Sequence, residues 1–221
     1  MSMRLQDWLY ALQIRWLLIF SPVTLFDRIG RLDWYKKTLQ DWLTENLPET
    51  GGRVLEIGCA TGRLTEHVFD RGYEIAGVDL SWRMLKQARQ RRPEIVYAAA
   101  DAGALPFREK CFDMVYSASL VNLLPDPAAF ARQILRVCKP GGRITVLFPV
   151  EGFTDEDFCL CLAGLEVTGF SKAALAAWHR NAPKISIAEV KGLLDAVGFE
   201  CCETAMSLNG MVASVSARKR P

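Results

Sequence analysis

Residues 53–64, Arg53-Val54-Leu55-Glu56-Ile57-Gly58-Cys59-Ala60-Thr61-Gly62-Arg63-Leu64, constrain this chain more than any other stretch. Val54, Leu55 and Ile57 make a short aliphatic run that breaks at Gly58, after which apolar residues return at Leu64 and Val68 with helical spacing. The predicted order is strand, tight turn, helix. Such a turn puts main chain at the carboxyl end of a parallel strand, where a doubly wound sheet leaves a crevice for a ligand. Gly58 and Gly62 tolerate positive φ or close approach, and Ala60 between them is small enough to let a ligand edge pass.

A dinucleotide fingerprint requires G-x-G-x-x-G, but counting from Gly58 puts Ala60 at the second position and Arg63 at the third. Glu56, just before the turn, would oppose a pyrophosphate docked on the helix N-terminus. A cationic ligand suits that carboxylate better. The spacing E-x-G-x-A-x-G resembles the first motif of class I S-adenosylmethionine-dependent methyltransferases, whose ligand carries an ammonium and a sulfonium and no phosphate.

The 221 residues fit one α/β domain, with 50% hydrophobic and 24% charged residues. A net charge of +2, from 27 basic against 25 acidic residues, is too balanced to advertise a polyanion, so no nucleic-acid partner is expected. Seven cysteines without secretory features predict a reducing cytosol. Cys159-Leu160-Cys161 and Cys201-Cys202 lack zinc-site spacing, and no metal is expected. Gln13, Arg15 and Pro22 interrupt the most apolar stretch, Trp8 to Phe26, so no membrane span is predicted.

In chain order, residues 5–20 place Leu5, Trp8, Leu9, Leu12, Trp16, Ile19 and Phe20 on one helical face, and Pro22 ends the helix. That face is expected to pack on the domain or to act as a lid, the alternative being peripheral membrane contact through residues 5–20. A second helix is predicted from Asp33 to about Asn46. Strands follow at Glu74 to Asp79, Ile95 to Ala100, Cys111 to Ser117 and Arg143 to Pro149. Asp79 falls 21 positions after Gly58, where a strand-terminal carboxylate accepts the hydroxyls of a bound ribose, while Ser81 is free to cap the next helix. Arg89, Arg91 and Arg92 read as a solvated basic helix end. Asp126 with Pro127 opens a further helix. Ser186 with Glu189 is a capping box, and Asn209-Gly210 predicts a two-residue hairpin between the last two strands.

Taken together, Val54 to Phe148, with D-x-x-x-L-P-F from Asp101 and L-x-x-x-K-P-G-G-R from Leu135, resembles the small-molecule class I methyltransferases that include the ubiquinone and menaquinone C-methyltransferases. The resemblance implies S-adenosylmethionine as cofactor, with Asp101 and the Ala102 amide recognising adenine. The implied cofactor-binding set is Glu56, Gly58, Ala60, Gly62, Asp79, Leu80, Asp101, Ala102, Ser117 and Asn122. Many relatives carry a histidine after the fourth strand; this chain has Val121-Asn122, so that histidine's role does not transfer. No catalytic residue is evident, His179 being the one candidate base. It lies in an apolar stretch at about 150–185 that suits a cover over the transfer pocket.

The expectation is an α/β fold: a Rossmann-like seven-stranded mixed sheet, order 3-2-1-4-5-7-6 with the last strand antiparallel and helices on both faces. Residues 1–48 would form a helical lid or packing segment, and 49–221 the methyltransferase domain. The expected activity is methyl transfer to a small lipophilic acceptor in the cytoplasm, with or without peripheral membrane contact. The rivals are an NAD-dependent oxidoreductase, disfavoured by Arg63, Glu56 and the terminal hairpin, and a domain that binds S-adenosylmethionine without chemistry.

Overall fold

The structure is a computed structural model. It describes residues 5–49 and 51–221, so the first four residues of the segment expected over 1–48 and the side chains of Leu5 and Cys201 lie outside the described residues. Strands β1 (Arg53–Ile57), β2 (Glu74–Asp79), β3 (Val96–Ala99), β4 (Phe112–Ala118), β5 (Cys138–Pro149), β6 (Phe199–Ser207) and β7 (Val212–Lys219) form one sheet in the order β3-β2-β1-β4-β5-β7-β6. The first five pair in parallel, and β7 runs antiparallel to both β5 and β6, as expected.

The helices are α1 (Leu5–Phe20), α2 (Pro22–Ile29), α3 (Asp33–Asn46), α4 (Arg63–Phe69), α5 (Trp82–Arg91), α6 (Pro127–Val137), α7 (Asp155–Leu165), α8 (Gly169–Asn181) and α9 (Ile187–Val197). Alternation along the strands divides the core into two layers. Val54, Met114 and Tyr116 face Trp42, Leu43, Val68 and Leu85 of α3, α4 and α5. Leu55, Ile57, Val115 and Val146 face Phe130, Ile134, Val190 and Leu194 of α6 and α9. Both faces are covered, which is why the central strands read as near-continuous apolar runs.

The local signals for helix ends hold. Ser81 accepts from Met84 N and Asp126 from Ala129 N, while Thr154 with Asp157 and Ser186 with Glu189 close capping boxes. β3 and β4 are displaced by single residues at their ends, and three differences are larger. Pro22 starts α2 as well as ending α1, because proline is suited to the first helical position. β5 begins at Cys138, where Phe112 pairs with Cys138 across a register shift that absorbs Gly141 and Gly142. The final connection spans residues 208–211 between the paired Ser207 and Val212, with Leu208 and Asn209 both at φ 51°.

The larger difference concerns α1. Ile14 and Leu17 are buried, clustering with Leu25 of α2 and Ala174 of α8, whereas Trp8, Leu12, Trp16 and Phe20 of the face expected to pack are 46%, 41%, 57% and 68% exposed. An almost wholly apolar helix has no unique stripe. The small surface of Ala173, Ala174 and Ala177 on α8 accepts compact aliphatic side chains and leaves the indoles outside.

Candidate active site

Helix α3 is held on the sheet by a buried polar chain. Trp42 Nε1 donates to Thr145 Oγ1 at 3.0 Å, and Ser216 Oγ lies 2.7 Å from both Thr145 Oγ1 and Asn46 Oδ1. That anchor lets the first half of α3 present Tyr35, Lys36, Leu39 and Gln40 to a cleft at the carboxyl end of β1. The opposite wall is Glu56, Gly58, Cys59, Ala60, Thr61, Arg63, Leu64 and Ala118, with Phe26 and Gly30 of the α2 region closing one side. The cleft lies at the end of β1, where the winding reverses: β2 and β3 are added on one side of β1 and the crossover from β3 places β4 on the other, the point at which an open α/β sheet binds its ligands.

Glu56 is buried, and its Oε2 accepts from Thr65 Oγ1 at 2.5 Å and Tyr116 Oη at 3.0 Å. Burial pushes its carboxyl up to about 7; the two hydroxyls pull it down and Asp79 pushes it further up. Tyr35 faces the same space, with its phenol pushed up to about 12 by burial and by the charge of Glu56, so at neutral pH it is a hydrogen-bond donor.

Asp79 joins the glycine turn to α5. Its Oδ2 accepts from Ala60 N and its Oδ1 from Ser81 N, both at 2.8 Å. Burial raises its carboxyl while the two amides restrain it. Ser81 supplies the helix cap itself, so Asp79 is not needed for that purpose. Gly58 and Gly62 take φ of 80° and 74°, and Ala60 is at 46°, a conformation a β-carbon resists.

The remaining expected residues fall in different places. Leu80 is exposed beyond the end of β2, and Asp101 and Ala102 follow the adjacent β3, so these lie along one rim with Asp79. Asp101 Oδ1 accepts from Gly103 N at 2.6 Å. Ser117 is buried and donates to the Ile57 carbonyl at 2.8 Å, tying β4 to β1. Asn122 Nδ2 donates to the Pro183 carbonyl at 2.8 Å, and its Oδ1 is buried without a partner. His179 does not line the cleft: it stacks on Phe158 with ring centroids 4.5 Å apart, and its Nε2 lies 2.9 Å from Asp155 Oδ1. Its Nδ1 is buried without a hydrogen-bond partner among the described residues.

Sequence reasoning missed Tyr35, Lys36, Gln40 and Phe26, which have no local motif and reach the cleft only because α2 and α3 fold across it. It also misread the end of α5. Arg91 is largely buried and pairs with Asp27 of α2, which also binds Arg63 at 2.8 Å and Arg31 at 2.7 Å. Arg92 binds Glu66 and Asp70. The acids that neutralise these arginines lie far away in sequence, so a basic run looked solvated. Burial alone would raise the Asp27 carboxyl, but the surrounding arginines hold it below the usual range.

Residues 55–146 match a family described as a methyltransferase domain. Over 96 residues the chain is 38% identical to a demethylmenaquinone methyltransferase of Renibacterium salmoninarum, covering 43% of this chain and 40% of that protein's length. A ubiquinone biosynthesis O-methyltransferase of Xanthomonas oryzae pv. oryzae is 28% identical over 172 residues, covering 70% and 71% of the two chains. In fold, an S-adenosylmethionine-dependent methyltransferase of Thermotoga maritima superposes with a TM-score of 0.65 at 21% identity, over 97% of this chain and 98% of that one.

Proposed function

We propose that this chain is a class I S-adenosylmethionine-dependent methyltransferase and that it transfers a methyl group from S-adenosylmethionine to a small lipophilic acceptor, a reading supported by the match of residues 55–146 and by the quinone-methylating relatives. One observation carries the reading: the cleft at the end of β1 is built around a buried carboxyl, Glu56, with no cation paired to it among the described residues. That is a poor seat for a pyrophosphate and a good one for an ammonium group. In this reading Asp79 takes the ribose hydroxyls, and Asp101 with the Ala102 amide takes the adenine edge. Gly58 and Ala60 line the cleft beside Glu56, and Gly62, Leu80, Ser117 and Asn122 complete the proposed binding set.

S-adenosylmethionine supplies an electrophilic methyl carbon, so the protein's task is chiefly to hold two reactants in line and keep water out. We assign that covering role to the N-terminal segment over 1–48 and to the apolar stretch at about 150–185. Trp34 Nε1 donates to Ser171 Oγ at 2.9 Å and its ring stacks on Trp178, which locks α3 to α8 beside the cleft. With His179 engaged by Phe158 and Asp155, an acceptor that ionises by itself needs no protein base.

The test is turnover of S-adenosylmethionine with a panel of hydroquinones, phenols, thiols and amines, read by mass spectrometry in the presence of a chelator. Methylated product is expected, with a pH–rate profile that follows the acceptor and is unchanged in His179→Ala. Tight NAD binding would overturn the reading, donor binding without turnover on any acceptor would favour a non-catalytic domain, and a profile abolished with His179 would restore it as the base.

The exposed face of α1 favours a finer statement. Among the described residues no helix is long and apolar enough to cross a membrane. Trp8, Leu12, Trp16 and Phe20 nevertheless stand outward beside exposed Arg15, and exposed Phe26 also lines the cleft. We propose that this face rests in the interface of an anionic bilayer. Flotation with phosphatidylglycerol vesicles is expected to retain the wild type and to lose most of a Trp8→Gln, Trp16→Gln variant. Equal flotation of both would sink the idea, and a concentration-dependent dimer lost in the variant would assign the face to a second copy.

A further inference from the structure

Glu56 is only 3% exposed, and both donations it receives converge on Oε2, so Oε1 accepts no hydrogen bond from the described residues. The groups around it come from every neighbouring element: Asp79 on β2, Tyr97 on β3, Tyr116 on β4, Tyr35 on α3 and Cys59 in the turn. None of these is a cation. Arg63 is engaged by Asp27 and Arg89 by the Tyr97 carbonyl, while Lys36 lines the cleft without an ion pair to Glu56. A buried carboxylate with no compensating charge is costly, and the usual resolution is to take up a proton.

We infer that Glu56 carries a proton while the cleft holds no cationic ligand, and releases it to solvent when the ammonium group of a bound methyl donor settles beside Oε1. The inference rests on the donor reading above and concerns only the amino-acid end of that ligand. The carboxyl O–H bond breaks, the proton passes to the buffer, and the ammonium arrives intact; no other bond changes. Because burial has moved this carboxyl to about 7, the exchange falls in the neutral range.

The experiment is calorimetric titration with S-adenosylhomocysteine in buffers of different ionisation enthalpy. Release of close to one proton is expected at about pH 6 and about half a proton at about pH 7, with affinity falling roughly tenfold per pH unit well below that. At about pH 6 the ligand's own α-ammonium stays protonated and does not confuse the count. Methylthioadenosine, which lacks the amine, should release none, and neither should Glu56→Gln titrated with S-adenosylhomocysteine.

A buffer-independent enthalpy in the wild type, or equal release with methylthioadenosine, would overturn the inference while leaving the donor reading standing. Release that persists in Glu56→Gln would move the proton to another group and equally overturn it. Failure of S-adenosylhomocysteine to bind at any pH would sink the donor reading and this inference with it. A ligand-free readout runs alongside. A carboxyl raised from 4.5 to about 7 makes the folded state lose stability as pH climbs through that interval. The thermal midpoint of the wild type should therefore fall relative to Glu56→Gln across it; parallel curves would count against a protonated Glu56.

Discussion

Asp79→Ala is expected to weaken binding of S-adenosylmethionine and S-adenosylhomocysteine by about 1.5–3 kcal/mol, roughly 10- to 150-fold, through loss of charge-assisted bonds to the ribose hydroxyls. The structure adds a second route to the same loss. Asp79 also holds the Ala60 amide at 2.8 Å, so its removal frees the turn that forms the cleft floor. Asp79→Asn separates the two, because its one remaining carbonyl oxygen can keep the Ala60 amide while the charge is gone. If ribose contact dominates, Asn should bind nearly as poorly as Ala; if turn geometry dominates, Asn should recover most of the affinity. Calorimetry on both variants, with thermal midpoints to verify folding, decides between them. Unchanged affinity in Asp79→Ala would remove the residue from the site.

Gly62→Ala is expected to destabilise the ligand-free protein by about 2–4 kcal/mol, combining the left-handed backbone penalty with overpacking. Gly62 has φ 74°, and a β-carbon there would lie 2.6 Å from Tyr97 Oη and 2.8 Å from Ala88 Cβ. Tyr97 is buried between strand and helix, and Ala88 belongs to α5, so relief requires moving an element rather than turning a side chain. Ala60→Gly is the companion measurement in the same turn. Ala60 already sits at φ 46°, so glycine relieves backbone strain at the expense of unfolded-state entropy, and stability should stay within about 1 kcal/mol of wild type. Denaturant midpoints at constant slope report both changes. A Gly62→Ala variant as stable as wild type would mean that the turn and α5 are not packed as described.

What was legible in the sequence was what neighbouring residues decide among themselves. Val54 to Leu64 read as strand, turn and helix because the apolar period changes at Gly58, where the backbone does take positive φ. Ser81, Asp126 and Ser186 announced helix starts because a cap is a bond spanning only three residues. The sheet order came from the resemblance carried by motifs between Val54 and Phe148, and it stands as expected.

What only the tertiary structure decided was which surfaces meet. The sequence marked α1 as apolar, but the small alanine surface of α8 selected Ile14 and Leu17 and left Trp8 and Trp16 outside. Arg91 looked like a solvent-facing cation until Asp27, 64 positions away, folded onto it. Tyr35 reaches the cleft because Trp42, Asn46, Thr145 and Ser216 fix α3 across the sheet, and His179 stacks on Phe158 and meets Asp155, 24 positions away in the chain. Local periodicity and caps are set by bonds within a turn or two of helix, whereas partner choice depends on shape and charge matching between segments distant in the chain, which no local window contains.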